Sequence, residues 1–164
     1  MNDSVRVGGI FTIECYDKDG NLKWRDKMRN LVVNEGLQHG LDVLFSGSAQ
    51  TNPWYVGLTD ASPTVAAGDT LASHVGWTEF DEYTGNRQEY VEVRTNQTMS
   101  NSASRASFPI TASGTVGGAF LSSVATGTTG ILLCASALTQ GDRSVVNGDT
   151  VQVQYDYSAA DDGV

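Results

Sequence analysis

Few residues in this chain have side chains suited to acid–base or nucleophilic chemistry, and they are widely spaced. The only histidines are His39 and His74. No HExxH, GxSxG or glycine-rich nucleotide-binding pattern surrounds them, and a Ser or Cys nucleophile would need one of the two as its base. We expect His39 to lie on a helix at a packing boundary and His74 to form hydrogen bonds in a turn. The histidines therefore predict no catalytic residue.

Acidic residues form the only other patterns that resemble a catalytic or metal site. Glu79 and Asp81 could suggest a glycosidase pair, but on a strand they share one face while Glu82 points away, so we expect a solvated face. The segment 17-DKDGN-21 begins like a calcium loop, yet it lacks Gly at position six and Glu at position twelve. It predicts an ordinary hairpin turn. We predict no enzymatic activity, no metal and no cofactor.

The two cysteines stand in apolar segments of the sequence. Neither Cys15 nor Cys134 has a CxxC spacing or neighbouring metal ligands. Between a disulfide and buried free thiols, the sequence favours free thiols, because a protein made in a reducing compartment keeps its cysteines reduced.

An unusual concentration of positive charge occupies the stretch 21-NLKWRDKMRN-30. The chain has ten Lys and Arg against nineteen Asp and Glu, and a period of two places four of the ten cations on one side of an extended strand: Lys23, Arg25, Lys27 and Arg29. Residues 1–29 hold six basic and five acidic residues, whereas residues 30–164 hold four and fourteen. The stripe is either a docking surface for an acidic partner or an edge strand that its cations protect from aggregation.

Charge and hydropathy narrow the choice of other partners. A net charge of −9 disfavours DNA, RNA and anionic membrane surfaces. No apolar run approaches the roughly 20 residues of a membrane-spanning helix. The N-terminus lacks the apolar region of a signal peptide. We expect a protein made in a cytoplasm, without a nucleic-acid or membrane partner.

Periodicity predicts a mainly β chain, a single domain over residues 1–164. An N-terminal hairpin spans residues 6–29, with strands 10–16 and 22–29. One helix is predicted near residues 34–46, with Asn34 as N-cap and Gly47 near its end, and a buried stripe of Leu37, Leu41, Leu44 and Phe45. A helical turn is expected at 68–74 and a frayed tail at 158–164. Further strands are predicted at residues 54–58, 77–83, 88–94, 105–111, 115–124, 131–138 and 150–157. The absence of a βαβ pattern favours a jelly-roll-like antiparallel β-sandwich.

Several segments together resemble a family of small structural proteins. They are 31-LVVNEGL-37, 54-WYVGLTD-60, 69-DTLASHVGWTEF-80, 100-SNSASRASFPI-110, 114-GTVGGAFL-121 and 141-GDRSVVNGDTVQVQY-155. This succession, over residues 31 to 157, is similar to capsid decoration or cement proteins of tailed bacteriophages. The resemblance implies a jelly-roll or related sandwich that assembles as symmetric dimers or trimers on the outside of a capsid. The major capsid protein would then be the partner, and Lys23, Arg25, Lys27 and Arg29 the candidate contact residues.

Two further functions remain open at this stage. Related sequences also include tail or fibre structural proteins, so the chain could belong to another part of the virion. A third hypothesis is a carbohydrate-binding sandwich on the virion surface that uses Trp54, Trp77 or Tyr83. A sugar-binding module would expose a coplanar aromatic pair, whereas a structural protein would bury these rings or place them in subunit contacts.

Overall fold

The computed structural model describes residues 4–161, and these residues form fourteen strands and one helix. The helix, α1 (Asn34–Phe45), lies between the third and fourth strands. In chain order the strands are β1 (Val5–Tyr16), β2 (Leu22–Arg29), β3 (Leu31–Val32), β4 (Trp54–Thr59), β5 (Glu79–Phe80), β6 (Gln88–Tyr90), β7 (Val93–Thr95), β8 (Thr98–Ser100), β9 (Ala106–Pro109), β10 (Gly114–Val116), β11 (Gly118–Ser122), β12 (Leu132–Ala137), β13 (Arg143–Val145) and β14 (Thr150–Asp161).

Two six-stranded antiparallel sheets contain most of these strands. The first has the order β2-β1-β14-β8-β7, and β9 pairs with another part of β14. The second has the order β3-β12-β11-β4-β5, and β6 pairs with another part of β4. Strands β10 and β13 form a separate pair. The prediction of a mainly β antiparallel sandwich with one helix is confirmed.

The main hydrophobic core lies between the two large sheets. Alternate side chains of both sheets belong to one buried cluster, including Ile13 and Val153 from the first sheet and Leu58 and Leu121 from the second. This alternation follows from the two-residue period of a strand, which directs every second side chain to the same face. The two sheets therefore share a single core.

The second sheet is buried on its other face as well. Phe120 joins Leu71 and Trp77, from the loop after β4, in a second buried cluster. Every residue of β11 is consequently buried. A Cβ atom at Gly57 would lie 2.2 Å from the Phe120 ring, so the absence of a side chain there lets this ring lie directly on β4.

The predicted hairpin is confirmed, but other predicted strands are interrupted. Residues 88–94 form β6 in the second sheet and β7 in the first, because the chain crosses between the sheets after Tyr90. Residues 115–124 are divided at Gly117, where a Cβ would lie 1.8 Å from the carbonyl carbon of Ala61. The absence of a side chain at Gly117 thus allows a close approach of two backbone segments.

Elsewhere the strands are shorter or were not predicted. Of residues 77–83, only the two residues of β5 form a strand, because Trp77 lies in the loop that covers the second sheet. No sequence pattern predicted β3, β8 or β13, which have only two or three residues each. Elements of this length are stabilised by their neighbours, so their own periodicity cannot reveal them.

Two predictions for irregular segments were wrong. Residues 68–74 form no helical turn; they form a turn closed by a bridge between Thr70 and Ser73. The predicted frayed tail is ordered through Asp161, because β14 continues along β1 and pairs Ala160 with Arg6. Residues 162–164 lie outside the described part of the chain.

Candidate functional site: a basic edge strand and an exposed helix

The basic stripe lies on an edge strand. β2 pairs with β1 alone among the described strands. All four cations are exposed, while Asp26 and Met28 on the opposite face are buried. The alternation read from the sequence is thus confirmed, and an edge position agrees with the protective explanation for the stripe. Whether the stripe also docks against a partner stays a prediction.

Arg25 is held by a buried carboxylate across the strand pair. It lies opposite Glu14 in the β1–β2 register, and its Nε lies 2.6 Å from Glu14 Oε1. Arg105 and Tyr16 also donate hydrogen bonds to Glu14. Burial raises the pKa of Glu14, but the hydrogen bonds from Tyr16 and Arg25 and the charge of Arg105 outweigh that effect and lower the pKa. Glu14 is therefore a buried anion compensated by two cations.

Lys23 forms a similar pair with the carboxylate of Asp149. That carboxylate is 2% exposed and also accepts the backbone N–H of Val146 at 2.9 Å. Asp149 follows Gly148, whose φ of 93° lies in the left-handed region that favours glycine, in the turn before β14. Lys23 thus ties the edge strand to this turn.

The remaining two cations of the stripe are free within residues 4–161. The side chains of Lys27 and Arg29 form no ion pair and no hydrogen bond there. An external acidic partner would therefore meet two available cations, whereas Lys23 and Arg25 already neutralise carboxylates of their own chain. A sequence pattern can show which side of a strand carries charge, but it cannot show which distant carboxylate lies beside it.

The helix gives the clearest disagreement with the sequence analysis. Leu37, Leu41, Leu44 and Phe45 were predicted to be buried, but they are 40%, 58%, 72% and 76% exposed. Gly36 is the buried residue of α1. A Cβ at Gly36 would lie 2.5 Å from the carbonyl oxygen of Leu133, so the helix rests on β12 through its glycine. Successive helical residues are about 100° apart, and the apolar stripe consequently points away from the sheet.

The start of α1 is also stabilised differently from the prediction. Val33 is the N-cap residue and provides no side-chain cap, so Asn34 is the first helical residue. The carboxylate of Glu35 accepts the backbone N–H groups of Leu71 and Leu132 at 3.0 and 2.7 Å. These bonds connect the helix to the second sheet and to the loop over it. Gly47, with φ of 73°, follows the helix end as predicted.

The histidines occupy the positions predicted for them. His39 lies on α1, and its Nε2 is 2.9 Å from the Thr51 hydroxyl. His74 stacks on Trp77 with ring centroids 3.7 Å apart, and its Nδ1 lies 3.0 Å from the Trp77 carbonyl oxygen. No Ser or Cys side chain is hydrogen-bonded to either imidazole within residues 4–161, so the structure gives no nucleophile–base pair there.

The acidic candidates serve structural purposes in the described chain. Glu79 is not part of a solvated face; it accepts two hydrogen bonds from the buried Arg87, at 2.8 and 2.7 Å. Asp17 accepts the backbone N–H groups of Asp19 and Asn21, both at 2.9 Å, so it forms the hairpin turn. Within residues 4–161, no three His, Cys, Asp or Glu side chains lie together as a metal site would require.

Both cysteines are buried free thiols, as predicted. Burial raises the pKa of Cys134 to about 12, and burial together with the nearby Asp149 charge raises the pKa of Cys15 to about 12. Both thiols are therefore protonated and poor nucleophiles near neutral pH.

The aromatic residues proposed for sugar binding separate into two groups. Trp77 and Tyr83 are buried in the two cores, at 6% and 7% exposure. Only Trp54 remains partly accessible, and its ring lies edge-on to His39 with centroids 5.8 Å apart. A stacking pair made from these three residues is thus ruled out. Among the described helices, none is long and apolar enough to span a membrane.

Comparison with known proteins gives one family. The model of the family described as podophage GP4 fiber I protein gp80 matches residues 34–158, which is more than half of the chain. No curated protein matches. The match confirms the phage structural origin read from the sequence, but it indicates a fibre family and not the capsid decoration family. The chain belongs to the podophage GP4 fiber I protein gp80 family and is a structural component of a bacteriophage virion.

Proposed function

We propose that this protein is a non-enzymatic, tail-associated fibre component that works as a homo-oligomer, with its copies in contact through the outer face of α1. The fibre alternative takes precedence over capsid cementing because the matched family is a fibre family. The single observation that supports the contact surface is the set of large apolar side chains that α1 presents to solvent.

This surface is large enough to offset much of the free-energy cost of association. The exposed fractions of the four apolar residues on α1 add up to about two and a half fully exposed residues; the four are Leu37, Leu41, Leu44 and Phe45. Burying this surface would contribute roughly 4–7 kcal/mol per copy, since one fully buried Leu or Phe contributes about 1.5–3 kcal/mol. Association costs an estimated 4–15 kcal/mol in lost freedom of motion. The helix face therefore suits an interface repeated between two or three copies, in which each copy contributes its own helix.

The extent of the family match supports the helix over the basic stripe. The matched region begins at residue 34, the first residue of α1, and leaves out the β1–β2 hairpin. A contact common to the family would thus lie in the part that includes α1. The free cations Lys27 and Arg29 would serve a second contact, with an acidic virion protein where the fibre is attached. Their charge would mainly accelerate and orient that docking.

Light scattering on purified protein tests the oligomer. The double variant Leu41→Gln/Leu44→Gln should shift the molar mass toward the monomer, because both side chains are exposed and their replacement leaves the core intact. The matched control is Lys27→Gln/Arg29→Gln, which changes two exposed residues outside the helix. Wild-type protein that remains monomeric across micromolar concentrations, or a helix variant with the mass of the wild type, would contradict the proposal.

The position on the particle requires a separate measurement. Gold-labelled antibodies against this chain should bind at the tail of the phage in electron micrographs. Labelling distributed over the capsid faces would instead support the cementing function.

A further inference from the structure

A cleft of about 230 Å³ lies between the open ends of the two sheets, beside α1. Trp54 and Tyr90 line it from the second sheet, and Tyr155 and Tyr157 line it from the first. Gly36, His39 and Gly40 line it from the helix. The cleft is thus on the inner side of α1 and is distinct from the exposed leucine face.

Several polar groups in this cleft have no partner within residues 4–161. They include the indole N–H of Trp54, the hydroxyl of Tyr157, the carboxylate of Glu92 and the side-chain amide of Gln50. The neighbouring tyrosines are already satisfied, because Tyr90 donates to the Tyr155 carbonyl at 3.0 Å and the Tyr155 hydroxyl accepts from Asn30 at 2.9 Å. Both hydrogen-bond donors and hydrogen-bond acceptors therefore remain available beside aromatic surfaces.

This combination selects a class of ligand. An anion is disfavoured, since Glu92 lines the cleft, no Lys or Arg does, and the chain carries a net charge of −9. A quaternary ammonium ion would use the aromatic faces and Glu92, but it has no acceptor for the Trp54 N–H. A neutral saccharide has both hydroxyl donors and acceptors, and its C–H face packs on aromatic rings. The volume lies below the roughly 300–1,000 Å³ of pockets for drug-sized ligands, which suits a single sugar ring.

We infer that this cleft binds one neutral pyranose unit of a saccharide, with Trp54 as the stacking surface and Glu92 as the main hydroxyl acceptor. The site goes beyond the proposed structural role. It does not depend on the outer face of α1, so sugar binding and self-association can fail separately.

Gly40 provides a way to fill the cleft without disturbing the fold. It lines the cleft on α1, and a Cβ added there meets no atom within 4 Å. Methionine also has a higher helix propensity than glycine, so Gly40→Met should fold at least as stably. Gln38→Met is the matched control, because Gln38 is exposed on the same helix and does not line the cleft.

Saturation-transfer NMR with the full chain tests the inference, using methyl glycosides of glucose, galactose, mannose and N-acetylglucosamine. Galacturonate and choline serve as the anionic and cationic probes. At least one neutral glycoside should give signals that disappear in Gly40→Met, persist in Gln38→Met and persist in Leu41→Gln/Leu44→Gln. Glu92→Gln, at a partly exposed position, should reduce them at least fivefold. The inference is overturned if no neutral glycoside binds, if choline or galacturonate binds in preference, or if binding is unchanged in Gly40→Met or in Glu92→Gln.

Discussion

The same substitution at two glycines of α1 should have opposite effects on stability. Replacing a helical glycine by alanine typically stabilises a protein by about 0.5–1 kcal/mol, because alanine loses less backbone entropy on folding. At Gly40 the added Cβ meets open space, so Gly40→Ala should raise the unfolding free energy by this amount. At Gly36 the Cβ would lie 2.5 Å from the carbonyl oxygen and 2.8 Å from the Cα of Leu133. Backbone atoms in the middle of a sheet cannot rotate away, so the helix must shift.

Comparison of the two variants isolates this contact. Both gain the same helix propensity, and their difference in unfolding free energy should therefore equal the overpacking penalty, about 1–3 kcal/mol. Urea titration at neutral pH measures the difference, with Gly40→Ala above and Gly36→Ala below the wild type. If both alanine variants are stabilised to the same extent, α1 does not rest on β12, and the reason given for its exposed leucines is wrong.

Three further predictions concern the charged groups. Burial raises the pKa of Asp26, but hydrogen bonds from the Thr139 hydroxyl and the Gln140 backbone N–H outweigh that effect and lower the pKa. Because the pKa values of Glu14 and Asp26 are lowered by folding, the stability that these groups contribute is present above their ordinary pKa values of 4.5 and 3.8 and is lost as the pH falls. Urea midpoints measured from pH 7 to 3 should therefore decrease below about pH 4.5, and less steeply in Glu14→Gln. Arg25→Gln should lower the unfolding free energy by about 1–3 kcal/mol, because it removes a partner of a buried carboxylate. Lys27→Gln should change the unfolding free energy by less than about 0.5 kcal/mol. Equal changes in the two variants would contradict the pairing of Arg25 with Glu14. The double variant Lys27→Gln/Arg29→Gln should slow attachment to phage particles that lack this chain, and the effect should be larger at 0.01 M than at 0.1 M salt. The reason is that the Debye length is ~30 Å at 0.01 M and only ~10 Å at 0.1 M. If the variant and the wild type attach at the same rate at both salt concentrations, the stripe only protects an edge strand.

The two-residue period correctly predicted the strands that bury only one of their two faces. The β1–β2 hairpin has this form, with Phe11 and Ile13 in the core and Lys27 outside. The pattern was less informative for the second sheet, because β11 is buried on both faces and its residues do not alternate in polarity. It also could not show that the chain changes sheets after Tyr90, since the periodicity of a strand does not identify the strand with which it pairs.

The helix shows why periodicity alone misplaced a surface. An apolar stripe indicates that a face will be covered, but it does not say whether the cover is the same chain or another one. Here Gly36 permits closer contact with β12 than any leucine would, and it takes the inward position. The cleft beside Trp54 was missed for a related reason: it combines residues from both sheets and the helix, which are distant in the sequence.

Two of the four cations on β2 are explained by carboxylates of the same chain. Glu14 and Asp149 are among the most buried carboxylates of the chain, and leaving such groups unpaired would be costly. Arg25 and Lys23 stand beside them because an edge strand can hold a long side chain whose head reaches the buried group while its stem remains at the surface. Half of the cations of the stripe are therefore paired within the fold, whereas the apolar surface on α1 is left exposed. The exposed apolar face of α1 is consequently the surface on which the proposed contact between copies rests.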